Sequence, residues 1–224
     1  MRAFETMYDE NGNQVALFPL TGFSISQTDT GTASHGGGTV YWATDYLALD
    51  SNGNRIYRAT CYAPCDIKCV YLNRTECMAV WESVNPVRLA DGSLDYLTIT
   101  CYHDNDISNN TYPFNIGNIV YQGNYFFKTG TGGTATGDHL HLETGKGKYA
   151  TRSAGRPGQP EYKFHITDYT KPKRMHNYNA LYINDTSPYS SPSPYVWVEF
   201  SVPVKKVQHK FPWVLYANKL RNKR

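Results

Sequence analysis

"TGDHLHLET", residues 136–144, sets two histidines one residue apart with leucines between them. On a β-strand, side chains at i and i+2 leave by the same face. The stretch therefore predicts a strand with His139, His141 and Glu143 on one side and Leu140 and Leu142 on the other. The leucine side asks for a core. The other side gathers two imidazoles and a carboxylate into one small volume, an arrangement that calls for a chemical reason.

Outward from this strand the chain reads as β throughout. It has 224 residues, enough to bury one sizeable core. The 19 tyrosines, 18 glycines and 12 prolines, with a mean hydropathy of −0.55, describe a turn-rich, aromatic, polar-surfaced protein. Turn signals recur between alternating runs: "DENGNQ" near residue 10, "DSNGN" at 50–54 and "LADGSLDY" near 92. "VYWATDYLAL", residues 40–49, runs into "DSNGN" as one arm of a hairpin. "LDYLTITCYH", residues 94–103, alternates with Leu97, Ile99, Cys101 and His103 on one face. "NIVYQGNYFFKTG" reads as short strands broken at Gly123. The expected fold is mainly β, an antiparallel sheet core with long loops forming a groove and few or no long helices.

Five cysteines occur, four of them in "CYAPCDIKCVYLNRTEC", residues 61–77. Their spacing is not the paired C-x-x-C of structural zinc sites, and disulfides would need an oxidising compartment. Buried free thiols in strands are the favoured reading, because Cys101 alternates with Leu97 and Ile99. A net charge of +3 gives no reason to expect a nucleic-acid partner. No apolar window is long enough for a membrane span, and the N-terminus lacks the basic-then-apolar pattern of a secretory signal.

Four of the seven histidines stand where a metal site would need them. His139 and His141 share a strand face, His103 ends another strand, and His35 lies among small residues in "TASHGGGTVYW". Catalytic zinc takes three protein ligands from imidazole and carboxylate and keeps one position open. Asp45 is the carboxylate candidate, since it alternates with Ala43, Leu47 and Leu49, where an unpaired charge is costly. Asp50 competes, but it opens the "DSNGN" turn and has a local task there.

"TGTGGTATGDHLHLE" resembles the signature of the lysostaphin/LytM-type zinc endopeptidases, peptidase family M23, whose usual form is G-x-T-G-x-x-x-G-P-H-L-H-F-E. "YHDND" resembles the family's Y-x-H element. "SHGG" followed by "ATDY" and "YAPCDIKCVYLN" resembles its H-x-x-x-D and the strand after it. The likeness spans roughly residues 30–145 and is closer to phage-encoded members than to bacterial autolysins. It implies one zinc ion per chain held by His35, Asp45 and His141, with His103 and His139 in the two non-ligand histidine positions that handle protons or charge. Glu143, on the same face, is placed to orient an imidazole. The implied substrate is a peptide of bacterial peptidoglycan, stem or cross-bridge, and a loop around 104–116 would wall the groove. Two departures stand out. Asp138 replaces the usual proline and should loosen the turn before the strand. His35 and Asp45 lie ten residues apart rather than four, so glycines 36–38 would have to loop the chain back.

Residues 1–185 are expected to form the M23-like domain, and residues 186–224 a Ser/Pro-rich strap and a basic, aromatic C-terminal segment packed on it. The last 29 residues set seven Lys/Arg against one Glu, a composition suited to anionic wall polymers or to a solvated tail. Other phage tail proteins are further candidate partners. Two roles fit the absence of a signal: an endolysin that passes from host cytoplasm to wall, or a lysin carried on the virion tail. A catalytically inactive wall-binding or tail module with the same fold is the alternative.

Overall fold

The computed structural model describes residues 6–28, 35, 43–149, 174–183 and 197–199. Its elements in chain order are β1 (Gly22–Gln27), β2 (Thr44–Ala48), β3 (Thr60–Tyr62), β4 (Ile67–Asn73), β5 (Met78–Ser83), β6 (Val87–Arg88), β7 (Leu94–Asp95), β8 (Leu97–Tyr102), α1 (Asn105–Ser108), β9 (Ile119–Val120), β10 (Tyr125–Lys128), β11 (Leu140–Lys146), β12 (Arg174–Met175), α2 (Asn177–Ala180) and β13 (Trp197–Glu199). Among the described residues the two helices are a single turn each. The chain is mainly β, as its alternating runs predict.

Each expected turn is present, and its polar residue does the local work. Asp9 Oδ1 accepts from the backbone N–H groups of Asn11 and Asn13, each at 2.9 Å. Asp50 Oδ1 does the same for Asn52 and Asn54 at 2.8 Å, which keeps it out of the histidine cluster. The "LADGSLDY" turn joins β6 to β7 through Gly92 at φ +85°, a backbone conformation that glycine adopts without steric cost.

The main sheet runs β13-β1-β2-β11-β8-β5-β4-β9, with β12 also on β11, and every pairing in it is antiparallel. Register decides what each face carries. Ile25 lies opposite Tyr46, Tyr46 opposite Leu140, Leu142 opposite Cys101, and Cys101 opposite Ala79. These residues are fully or almost fully buried and form one cluster with Phe18, Phe23, Ile99 and Trp81. A fully buried side chain of the Leu or Phe class contributes about 1.5–3 kcal/mol, so this face supplies most of the drive to fold. The opposite face carries a second row, in which Asp45 faces His141, His141 faces Tyr102 and Tyr102 faces Met78. The leucine and histidine sides of "HLHLE" separate as their alternation requires.

All five cysteines are buried and free, in line with the thiol reading. Burial pushes the Cys65 thiol well above the ordinary range and that of Cys69 up to about 12, so both stay protonated and inert. From the strap and tail, only residues 197–199 are described: β13 adds to the sheet edge beside β1. The domain boundary at 185 otherwise falls outside the described residues.

Two glycines let the segment before β11 pass close to the end of β8. A Cβ at Gly130 would run into the backbone oxygen of His103, and one at Gly132 would meet Cys77 Sγ at 2.5 Å. Gly130→Ala should therefore cost about 2 kcal/mol or more by chemical denaturation, the scale of forced overpacking. Gly137→Ala, which has nothing within 4 Å, should stay within about 0.5 kcal/mol. Equal stability of both variants would contradict this packing.

Candidate metal and catalytic site

Three elements bring the predicted residues together. β11 lies between β2 and β8, and its register sets His141 directly against Asp45 on one side and Tyr102 on the other. His35 reaches the same point from outside the sheet: its Nε2 lies 3.2 Å from Asp45 Oδ1. The ten-residue interval thus does not separate the pair, although residues 36–42, with the glycines expected to loop the chain back, lie outside the described residues. His141 Nδ1 is 3.0 Å and His139 Nε2 3.5 Å from the same carboxylate oxygen.

The outer ring nitrogens fix the tautomers. His35 Nδ1–H donates to the Thr28 backbone oxygen at 2.9 Å, which leaves Nε2 with a lone pair. His141 Nε2–H donates to Glu143 Oε1 at 3.0 Å, which leaves Nδ1 bare. Two nitrogen lone pairs and a carboxylate oxygen therefore point at one another. Neither contact has hydrogen-bond geometry, and His35 Nε2 and Asp45 Oδ1 are buried without a hydrogen-bond partner. Such a meeting of acceptors is costly unless a cation lies among them. The three ligand atoms fall within 4.8 Å of one another. The 3.0 and 3.2 Å separations approach the roughly 3.4 Å edge of a tetrahedron with bonds of about 2.1 Å.

Electrostatics agree with that geometry. Burial works against ionisation of Asp45, but the imidazoles of His141 and His35, once a second proton sits between them and the carboxyl, outweigh burial and keep it well below its usual range. Burial also works against protonation of His141, yet Asp45 and Glu143 on either side raise its pKa above the ordinary value. A positive charge at the centre, proton or metal, is what this cluster stabilises. Glu143 is 1% exposed, a buried partner of His141 rather than a surface charge.

His103 arrives by a route that strand alternation does not describe. Counting by twos from Leu97 puts it on the core face. Instead the strand ends at Tyr102, and His103 takes φ +87°, which turns its ring to the histidine side, 4.5 Å from the ring of His139 and 5.9 Å from that of His141. A positive φ in a non-glycine residue is strained, and the neighbours hold it there. His103 N–H donates to Cys77 O, its own oxygen accepts from Gly132 N–H, and its Nδ1–H donates to Gly132 O at 2.8 Å. Asp104, the next residue, is buried and pairs with Arg58 at 2.9 Å. Burial, with His141 and His139 beside it, pushes the His103 pKa down to about 3.

Asp138 overturns its expectation. Its carboxylate accepts from Thr129 Oγ1 at 2.6 Å and from Arg58 N–H at 3.0 Å, so it ties the turn before β11 instead of loosening it. The expected groove wall at 104–116 is also corrected. Tyr112 and Phe114 of that loop pack inward, with Tyr112 O–H donating to Phe126 O and Phe114 against Trp81. The cleft over the site, about 540 Å³, is instead lined by Ser26, Gln27, Leu47, Arg55, Glu76, Tyr102 and residues 134–137 together with the four histidines and Asp45. Sequence patterns gave no sign of Arg55 or Glu76, because turn positions carry no periodicity. The Thr28 oxygen is a backbone group that no motif can mark.

No family model matches the sequence. Over 136 residues the chain is 35% identical to Morphogenesis protein 1 of Bacillus phage B103, covering 61% of this chain and 33% of that protein. It thus spans about a third of that relative's length. Similar solved structures include the catalytic domain of the antimicrobial peptidase lysostaphin from Staphylococcus simulans, at TM-score 0.36 and 14% identity over 60% of this chain and 85% of that one. Pseudoalterin, an M23 metalloprotease from the deep sea, gives TM-score 0.40 and 14% identity over 88% and 100%. A zinc-containing peptidase from Vibrio cholerae gives 0.36 and 18% over 62% and 42%. Lysostaphin and M23 peptidases, the group that the histidine motif resembles, are therefore among the structures similar to this chain.

The buried His103 also sets a pH dependence. It titrates near 6.5 in an unfolded chain and at about 3 in the folded one. Between those values the unfolded state holds the extra proton, so stability falls as pH drops from about 6.5 toward 3. In chelator-treated protein, His103→Gln should flatten that part of the Tm-against-pH curve. Parallel curves for variant and wild type would refute the buried neutral imidazole.

Proposed function

We propose that the chain is a zinc-dependent endopeptidase that hydrolyses peptide bonds of bacterial peptidoglycan, in stem or cross-bridge, on behalf of a bacteriophage. The observation that carries this reading is the meeting of the lone pairs of His35 Nε2, His141 Nδ1 and Asp45 Oδ1 in a buried pocket, with two further imidazoles at its rim. These three residues would hold one zinc ion and leave a fourth position open. Zinc held by them would supply an acidified water and would polarise a peptide carbonyl.

The chain's own side chains supply the remaining chemistry. His139 and His103 donate Nδ1–H to the backbone oxygens of Gly137 and Gly132, which leaves each Nε2 bare as a proton acceptor. A neutral imidazole there takes the proton of the attacking water and returns it to the leaving amine. The imidazolium formed in between lies beside the developing oxyanion and lowers its energy. Glu143 fixes the tautomer of His141 and keeps its inner nitrogen directed at Asp45.

Similarity to a phage morphogenesis protein favours a virion-associated lysin over a freely released endolysin, with other tail proteins as neighbours and the cell wall as the place of action. The basic, aromatic C-terminal segment would add affinity for anionic wall polymers. Nucleic acid and membrane are not expected partners, and no described helix is long and apolar enough to cross a bilayer.

His141→Ala should lose zinc and wall-clearing activity together, and retained metal would remove His141 from the ligand set. His103→Ala and His139→Ala should keep zinc while turnover falls about 10²-fold or more; near-normal rates in both would sink their assigned roles. Glu143→Ala should weaken zinc affinity about 10–100-fold, read by competition with a chromogenic chelator. Stoichiometric zinc with no cleavage of any wall type would favour the inactive wall-binding module instead.

A further inference from the structure

One cation in the wall of the cleft takes no part in the chemistry described above. Arg55 follows the Asp50–Asn54 turn, and its Nη2–H donates to the backbone oxygen of Asp138, the residue before His139. Its guanidinium carbon stands 5.2 Å from the centroid of the Tyr57 ring, and Tyr57 is 66% exposed. A backbone acceptor and an aromatic face thus hold the group in place at the cleft. Guanidinium carries five N–H donors, so most of them remain for another acceptor. Among the described residues Arg58, Lys68, Arg88, Lys128 and Lys146 each meet a carboxylate; Arg74, Lys148 and Arg55 do not, and of these three Arg55 alone lines the cleft. Asp45, in the same cleft, is already engaged by imidazoles.

Building on the peptidase reading, we propose that Arg55 binds a carboxylate of the substrate, so that the chain selects peptides with a free carboxylate close to the scissile bond over neutral bridge peptides. The location sets the reach. Asp138 and His139 are adjacent, and an extended peptide advances about 3.3 Å per residue, which places the bound carboxylate within about two residues of the bond cut beside His139. The fork of a guanidinium donates to both oxygens of a carboxylate at once, whereas a carboxamide offers one oxygen and no charge. The same preference accounts for a cation that is held in place yet left without an acidic partner.

The test uses the zinc-loaded full chain and a synthetic cross-linked pair of stem peptides, prepared with its carboxylates free or converted to carboxamides. Wild type should cut the carboxylate form about 10–100-fold more efficiently in kcat/KM, the range of a charge-assisted hydrogen-bond pair. Arg55→Gln should bring that ratio close to one, chiefly through KM, and Arg55→Lys should retain part of it. Both forms are read on one preparation, so the ratio does not depend on the fraction folded. Equal rates on the two forms by wild type would overturn the role of Arg55 and leave the peptidase reading intact. Cleavage of neither form would count against the peptidase reading, and calorimetric binding then decides Arg55 alone. Tighter binding of the carboxylate form, lost in Arg55→Gln, supports the proposal, and equal binding overturns it.

Discussion

Everything at the centre of this molecule depends on one row across the sheet, in which Asp45 of β2, His141 of β11 and Tyr102 of β8 stand side by side. Antiparallel register places the carboxylate of one strand 3.0 Å from the imidazole of the next. A slip of one residue in either strand would turn one partner to the core and bring a leucine or Tyr46 to the site instead. The apolar face therefore does two things: it buries Leu140, Leu142 and Tyr46, and in doing so it fixes which polar groups face each other on the far side. Fold stability and site geometry are coupled through that register.

The groups behind the imidazoles complete the arrangement by committing the outer ring nitrogens. Thr28 O and Glu143 Oε1 each take one ring N–H, and their choice leaves acceptors, not donors, at the centre. Gly132 O and Gly137 O do the same for His103 and His139. Four imidazoles in one cleft thus acquire defined tautomers from two carbonyls of the loop before β11, one carbonyl after β1 and one carboxylate. Asp138 contributes without touching the centre, since its bonds to Thr129 and Arg58 hold the end of that loop to the residues flanking β10 and β3.

Much of this was legible in the sequence where period-two alternation operates. "HLHLE" separated its two faces correctly, the Asn-Gly and Asp-Gly turns appeared where their residues placed them, and the cysteines fell in the core with their apolar neighbours. Alternation failed where the strand ended. His103 continues the pattern of Leu97, Ile99 and Cys101 on paper, but its φ of +87° reverses the direction of the side chain, and the cause is a set of long-range backbone hydrogen bonds that no local pattern displays. The groove wall was misplaced for a similar reason: Tyr112 and Phe114 bring more apolar surface to the core than a solvent-facing loop would keep. The distance from His35 to Asp45 along the chain gave no guide to their distance in space, because a loop can close ten residues at small entropic cost.

The central claim is that His35, Asp45 and His141 form a site for one cation, and the most direct measurement is zinc binding to chelator-stripped protein followed by calorimetry in buffers of different ionisation enthalpy. The account predicts one tight equivalent of zinc, with proton release that grows as pH falls, because a metal takes His35, Asp45 and His141 in their deprotonated forms. A chain that takes up no stoichiometric zinc, or takes it up equally well with Asp45 replaced by alanine, would contradict it.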